Sequence, residues 1–143
     1  MHIFHRPPEA AVRDLLSFCD LPTEDLERQN FENFFGCGFA GSLSGVVGIE
    51  LLGEVALLRS LAVSKDARDN GLGKQLVAHA EAYALASGVK RLFLLTTSAE
   101  RFFESLGFVL AERKETPLAV RSTKQFSSLC PSTAHIMVKH IAA

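Results

Sequence analysis

The stretch with the most specific chemistry runs from Leu61 to Lys74, where an apolar strand leads through a polar turn into an amphipathic helix. Arg68, Gly71 and Gly73 give this turn the pattern Arg-x-x-Gly-x-Gly. The first N–H groups of a helix lack intrahelical partners and lie at the positive end of its dipole, so they favour phosphate. Glycines let an anion approach the backbone, and Arg68 adds a charged contact. The turn therefore predicts a phosphate-binding site.

Two other kinds of phosphate loop do not fit this turn. A Walker A loop needs Gly where Arg68 stands and Ser or Thr where Gln75 stands. A dinucleotide-binding fingerprint needs a third Gly or Ala at Leu76. Both are therefore excluded as the source of the pattern.

The elements around this turn alternate between helical and strand patterns. Two apolar runs, 46–51 and 55–63, are separated by Gly53 and Glu54 and predict a hairpin, and Gly41 to Gly45 is predicted as a turn. Helices are expected over 8–19, from Thr23, from Gly71 to Gly88, over 99–106 and from Thr116. Further strands are expected over 34–40, 92–95, 108–112 and 136–141. This order predicts a mixed α/β sheet with helices on both faces.

Length and composition narrow the class of partner. The 143 residues fit one domain, and a hydrophobic content of 48% with 22% charged residues is that of a globular protein without a membrane-spanning run. A net charge of -1 gives no electrostatic footprint for nucleic acid or for an anionic membrane. A small-molecule partner is expected. The first residues lack a secretory or transit pattern, so a cytoplasmic location is expected.

The cysteines and histidines argue against a metal site. Cys19, Cys37 and Cys130 are scattered without zinc spacing, and reduced thiols are expected. No spacing joins two of the five histidines on one helical face. Cys130 has two readings, a soft metalloid contact or a small buried hydrophobe, of which the second is the usual one.

Residues 59–108 resemble the GNAT superfamily of N-acetyltransferases. The resemblance is carried by Leu61-Ala62-Val63 at a strand end, the Arg-x-x-Gly-x-Gly turn, Ala99, Phe102-Phe103 and Leu106-Gly107-Phe108. Three stretches, 57–63, 94–103 and 121–131, are most similar to a small branch found with arsenic-resistance genes. They are more distantly similar to the acetyltransferase domains of N-acetylglutamate synthases.

This resemblance implies one N-acetyltransferase domain over 1–143 that uses acetyl-CoA as co-substrate and needs no metal. The implied fold is an α/β (α+β) structure with a mainly antiparallel sheet of six to seven strands, which splays after Val63. A homodimer is one option, because homodimers are common in the superfamily, and the sequence leaves the oligomeric state open. The implied cofactor-binding residues are Leu61, Ala62 and Val63 for the pantetheine arm, Arg68, Asp69, Asn70, Gly71, Leu72, Gly73 and Lys74 for the pyrophosphate, and Phe102 and Phe103.

The sequence departs from the superfamily at the catalytic positions. The place of the usual Glu base falls on Leu57, and the usual Tyr near the leaving thiolate is Phe103. Acetyl transfer from a thioester can rely mainly on positioning an already deprotonated amine, so the fold prediction stands. Glu50 and Glu54 are our candidates for accepting the proton, through water.

Three residues are candidates for binding the acceptor: Arg59, Thr96 and Arg121. Arg59 interrupts an apolar strand on the same side as Leu57, where its guanidinium can hold a carboxylate or another oxyanion in a bidentate fork. The alternative is a structural ion pair with a carboxylate. Thr96, where many members have Asn, can bind substrate, whereas Ser98 is expected to cap the following helix.

The insertion between the last two strands has two readings as well. Arg121, Phe126 and Cys130 lie in it, and the chain there can cover the acceptor pocket. An ordinary surface helix is the alternative, and it is our expectation for Phe126.

The sequence thus predicts an N-acetyltransferase for a small amine that bears an acidic group, such as an amino acid or an amino-acid-like toxin. Two alternatives stay open. One is an acyl-CoA-binding sensor that has lost the Glu and Tyr positions. The other is a structural module in which the Gly-rich turn only packs a helix on a sheet.

Overall fold

The computed structural model describes residues 2–39, 41–129 and 134–142, with 127–129 described by their backbone alone. Within these ranges seven strands form one mixed sheet in the order β1-β2-β3-β4-β5-β7-β6. The strands are β1 Ile3–His5, β2 Phe34–Phe39, β3 Ser42–Leu52, β4 Val55–Val63, β5 Arg91–Thr96, β6 Val109–Ala111 and β7 His135–His140. All neighbours pair antiparallel except β4 and β5, which are parallel. The predicted fold class is confirmed.

Helices cover both faces of this sheet. They are α1 Glu9–Phe18, α2 Leu72–Ala86, α3 Glu100–Ser105, α4 Leu118–Arg121 and α5 Lys124–Leu129, with 3-10 turns at Arg28–Asn33, Lys65–Ala67 and Arg113–Glu115. α2 and α3 pack on one face, over side chains such as Val47, Leu58 and Leu94. The opposite face is covered by α1, over Val46 and Ala62, and by the segment from α4 to α5. No helix in the described ranges is both long and apolar enough to cross a membrane.

A β-bulge interrupts the pairing of β3 with β4. Val46 pairs with Ala62 and Gly48 pairs with Arg59, so Val47 alone lies opposite two residues, Ser60 and Leu61. Ser60 takes a left-handed backbone conformation with φ of 56°. This conformation costs a non-glycine residue about 1 kcal/mol, and a bulge bends the strand that carries it. The strain is therefore located in the middle of β4.

β4 and β5 separate close to this bulge. Their parallel pairing joins Val55–Leu57 to Arg91–Phe93 and goes no further. β5 continues to Thr96 along β7, whereas β4 continues to Val63 along β3. The two strands thus part after Leu57, and the predicted position after Val63 is wrong. The bend that the bulge introduces at Ser60 explains the earlier separation.

The remaining element predictions are mostly confirmed. β4, the β3–β4 hairpin around Gly53 and the helix between Gly71 and Gly88 form as predicted. The predicted turn from Gly41 to Gly45 is wrong, because β3 already begins at Ser42. A side chain at Gly45 would bring its Cβ within 2.8 Å of Leu76, so this glycine allows α2 to approach the sheet.

Two N-terminal features differ from the prediction. β1 was not predicted, because its three residues carry no periodic pattern of their own and form a strand by pairing with β2. The short helix expected from Thr23 is replaced by the 3-10 turn Arg28–Asn33. That turn begins where the N–H of Glu27 donates to Oδ1 of Asn30 at 2.7 Å, a capping interaction.

Candidate active site

The predicted phosphate loop lies at the N-terminus of α2. Gly71 caps the helix with φ of 76°, after Asp69 with φ of 66°. The N–H of Gln75 donates to the carbonyl of Gly71 at 3.1 Å, which is the first hydrogen bond of the helix. The N–H groups just before Gln75 therefore have no acceptor within the helix. A Cβ built on Gly71 would meet no atom within 4 Å. The helix entrance is open to an anion.

The loop is joined to the end of β4. Nε of Arg68 donates to the carbonyl oxygen of Val63 at 3.0 Å. A Cβ on Gly73 would lie 3.4 Å from the ring of Phe102 and 3.8 Å from Val63. The loop therefore opens beside the end of β4 and α3, where the resemblance placed the cofactor.

A cavity of about 380 Å³ fills the gap between the separated strands. It is lined by residues 58–61 of β4, 94–96 of β5 and 97–99 after it, together with Leu21, Pro22, Phe103, Gln125 and Ala134. Leu58 belongs to the core under α2, whereas Arg59, the next residue of the strand, points to the opposite face. The cavity thus passes between the strands from one face of the sheet to the other.

Arg59 is held in a buried ionic network beside the cavity. Its side chain is 2% exposed and that of Asp25 is 3% exposed. Nη1 donates to Oδ2 of Asp25 and, at 3.0 Å, to Oε2 of Glu50, while Nη2 donates to Oδ1 of Asp25 at 2.9 Å. Nε donates to Oγ of Ser60 at 3.1 Å. This network accounts for four of the five guanidinium N–H groups.

Electrostatics keep Arg59 charged. Burial acts to lower its pKa, but hydrogen bonds and charge attraction from Asp25 and then Glu50 outweigh this effect, so the pKa lies above its ordinary value. Two carboxylates face one guanidinium. Because Asp25 already takes the fork, a substrate carboxylate can receive one Nη2 N–H at most while the pair is intact.

The two candidate bases both lie near the start of β4, and neither is among the described residues that line the cavity. Glu50 pairs directly opposite Leu57 in the β3–β4 register and shares its face, with Cβ atoms about 5 Å apart. A carboxylate therefore lies next to the position where the superfamily usually has its base. Glu54 lies in the hairpin turn, exposed, with its Oε2 3.4 Å from Nζ of Lys90, and does not line the cavity.

The other acceptor candidates separate into two groups. Thr96 and Ser98 line the cavity, but Oγ1 of Thr96 accepts the Ala99 N–H at 2.9 Å, so Thr96 and not Ser98 holds the turn before α3. Arg121 is exposed, donates from Nε to the Thr116 carbonyl at 3.0 Å and does not line the cavity.

The insertion after β6 contributes to the core. Phe126 is 2% exposed and packs in one cluster with Leu57 and Phe93. The expected surface role of Phe126 is therefore wrong, because α5 closes this face of the sheet. Cys130 lies outside the described residues.

Asp25 and Gln125 are cavity-side residues that sequence reasoning missed. Asp25 meets Arg59 across a separation of 34 residues, which no local pattern reports. A partial signal existed, because a strand arginine that is buried requires a carboxylate partner. For Glu50 the signal was stronger, since the two-residue turn at Gly53 and Glu54 fixes the register that sets it opposite Leu57.

Comparison with known proteins identifies the family. Residues 2–108 match the model of the acetyltransferase (GNAT) family, and the chain belongs to this family. The predicted resemblance to the superfamily is confirmed, whereas the closer similarity to the arsenic-resistance branch stays a prediction, and the homodimer stays one option.

Two relatives carry the name amino-acid acetyltransferase. That of Ralstonia nicotianae is 44% identical over 68 residues, which cover 48% of this chain and 14% of the relative. That of Neisseria meningitidis serogroup A is 31% identical over 103 residues, which cover 71% of this chain and 23% of the relative. The chain thus spans less than a quarter of the length of these relatives.

Solved structures share the fold over nearly the whole chain. N-acetylglutamate synthase from Neisseria gonorrhoeae, complexed with coenzyme A and N-acetyl-glutamate, has a TM-score of 0.78 at 23% identity and is matched over 100% of this chain and 36% of its own. An acetyltransferase from Streptococcus agalactiae has a TM-score of 0.75 at 20% identity, with 97% of each chain covered. At identities of 23% and 20%, these matches are evidence for a shared fold and for nothing more specific.

The ionic network predicts a specific loss of stability. Asp25→Ala leaves the buried guanidinium with Glu50 as its remaining carboxylate, and should lower the free energy of unfolding by about 3 kcal/mol. Urea denaturation measures this change. Glu9→Ala removes the exposed Glu9–Arg13 pair on α1 and is the control, with an expected loss of about 0.5 kcal/mol or less. Equal losses in the two variants would refute the structural importance of the buried pair.

Proposed function

We propose that the chain transfers the acetyl group of acetyl-CoA to the amine of a small amino acid or amino-acid-like molecule. The observation that carries the proposal is the open entrance of α2 beside a cavity that passes between β4 and β5. One feature offers a diphosphate site, and the other offers space for a thioester and an amine to meet. Family membership and relatives named amino-acid acetyltransferase support the same reaction.

Acetyl-CoA would be held along the end of β4 and the start of α2. The N–H groups from Asp69 to Lys74 would bind the diphosphate, at the positive end of the helix. Beyond Leu57, β4 does not pair with β5, so backbone groups from Leu61 to Val63 can bond the amides of the pantetheine arm as a strand would, beside the bond that the Val63 carbonyl already accepts from Arg68. Phe102 and Phe103 would pack beside the arm.

The reaction needs a neutral amine close to the thioester. The nitrogen lone pair attacks the carbonyl carbon, a C–N bond forms and the C–S bond breaks, so that CoA leaves as the thiolate. The proton lost by the amine passes through water to Glu50, which lies beside the usual base position. Phe103 cannot donate a proton to the thiolate, so protein groups act here mainly by positioning.

Arg59 supports an acceptor with an acidic group, but it has fewer N–H groups left to bind that group than an unpaired guanidinium would have. Its remaining Nη2 N–H can bond one carboxylate oxygen, and its charge lies beside the cavity. Asp25 and Glu50 offset that charge, so the acceptor can also carry an ammonium group into the site. An amino acid presents both groups.

A glycine substitution tests the diphosphate site. Gly71→Asp adds a carboxylate at the open entrance of α2, and its repulsion should raise the Kd for acetyl-CoA by roughly 100-fold, measured by titration calorimetry. Gly53→Asp is the matched control, because Gly53 also has a positive φ (85°) and open space around it, but lies in the β3–β4 turn. Unchanged binding by Gly71→Asp would overturn the site.

Acceptor choice tests the substrate class. CoA release is measured with individual amino acids, with the matching amines that lack the carboxylate, and with polyamines. We expect kcat/KM to be at least about tenfold higher for an amino acid than for its decarboxylated partner. Turnover of polyamines alone would contradict the proposed acceptor. Acetyl-CoA binding without turnover of any amine would favour the sensor.

Paired Glu-to-Gln changes test the proton path. Glu50→Gln keeps an oxygen for Arg59 but removes the base, and should lower kcat by about 100-fold while the KM for acetyl-CoA is kept. Glu54→Gln separates the two candidates, because Glu54 is exposed in the hairpin turn and pairs with Lys90, whereas Glu50 bonds Arg59 at the cavity wall; the loss of Glu54 should leave kcat unchanged. A kcat that Glu50→Gln leaves at the wild-type value would remove Glu50 from the mechanism.

A further inference from the structure

The bulge of β4 turns the side chain of Ser60 toward that of Arg59. Consecutive side chains of a regular strand point to opposite faces of the sheet, yet Nε of Arg59 donates to Oγ of Ser60 at 3.1 Å. The left-handed backbone of Ser60, with φ of 56°, allows this contact. Strained residues and bulges cluster at active sites, where they re-aim side chains, so this conformation at a cavity wall marks Ser60 as a functional candidate.

The hydroxyl group of Ser60 still has its proton to donate. Its oxygen accepts the Nε–H of Arg59, and among the described residues no acceptor takes the hydroxyl proton. Ser60 is partly exposed and lines the cavity, whereas the side chain of Arg59 is 2% exposed. A molecule in the cavity therefore meets the charge of Arg59 mainly through the hydroxyl group of Ser60.

The fifth N–H of Arg59 points to the same place. Asp25 takes the fork between Nη1 and Nη2, so the remaining Nη2 N–H lies parallel to the Nε–H that Ser60 accepts. An oxygen bound to that N–H would lie about 3 Å from Oγ of Ser60, within reach of its proton. One oxyanion can therefore accept from both donors.

We propose that the Ser60 hydroxyl donates a hydrogen bond to the carboxylate of the acceptor substrate, and so selects amino acids over simple amines. The inference rests on the proposed acetyl transfer and adds a substrate-binding residue to it. Asp25 has taken the carboxylate fork of Arg59, and the hydroxyl supplies a second donor beside the N–H that is left. An acceptor without a carboxylate leaves both donors without an anion and is disfavoured.

Two substitutions remove the hydroxyl with different effects on the backbone. Ser60→Ala keeps a side chain in the left-handed conformation, whereas Ser60→Gly relieves the strain. In both variants we expect kcat/KM for the amino acid to fall about tenfold, while kcat/KM for its decarboxylated partner and the KM for acetyl-CoA stay unchanged.

Ser87→Ala is the matched control for the loss of a hydroxyl group. Ser87 is exposed, donates to the Tyr83 carbonyl at the end of α2 and does not line the cavity. All three quantities should keep their wild-type values in this variant.

The outcomes separate this inference from the proposed function. Ser60 variants that prefer the amino acid to the amine as strongly as the wild type does overturn the role of Ser60 alone. Equal losses of kcat/KM for the two acceptors, or a raised KM for acetyl-CoA, show that Ser60 only supports the shape of the bulge, and also overturn it. A wild-type protein that acetylates no amino acid overturns the proposed function, and the inference with it.

Discussion

β4 and β5 pair over Val55–Leu57 and Arg91–Phe93 and then part, and the whole candidate site depends on that separation. A parallel pair that continued to Val63 would close the cavity and use the backbone groups that a strand-like ligand needs. The bulge at Ser60 and Leu61 bends β4 at this point, and the backbone strain lies at Ser60, which has a left-handed conformation. The surrounding sheet maintains this strained conformation, because β3 continues to pair with β4 on one side of the gap and β7 continues to pair with β5 on the other.

The ionic network of Arg59, Asp25 and Glu50 compensates a buried charge beside the gap. Arg59 brings a positive charge into a region where an acidic or zwitterionic molecule is expected, and an unpaired buried charge would be costly. Asp25 and Glu50 compensate it, and Asp25 also fixes the segment that carries Leu21 and Pro22 over the cavity. The same contacts thus hold the wall of the cavity and set its charge balance.

Local sequence patterns predicted the parts of the site that are built from neighbouring residues. The apolar run of β4, the turn with Gly71 and Gly73 and the amphipathic α2 follow one another along the chain, so spacing alone placed them together. Asp25 reaches Arg59, and Gln125 reaches the cavity, from segments distant in sequence, so their positions depend on how the segment after α1 and α5 pack on the sheet. The bulge at Ser60 also has no signature in residue type, and for that reason the separation of the strands was predicted too late along β4.

Gly45 links the geometry of the proposed cofactor site to the packing contact between α2 and β3. A Cβ at this position would lie 2.8 Å from Leu76 and 3.0 Å from Leu72, the first residue of the helix. The missing methyl group therefore sets how low α2 lies on β3. The close packing of α2 on β3 also fixes the distance between the amide groups of the first turn of α2 and the gap between β4 and β5. If acetyl-CoA binds as proposed, the small size of Gly45 would in this way set how far the cofactor reaches into the gap between the strands.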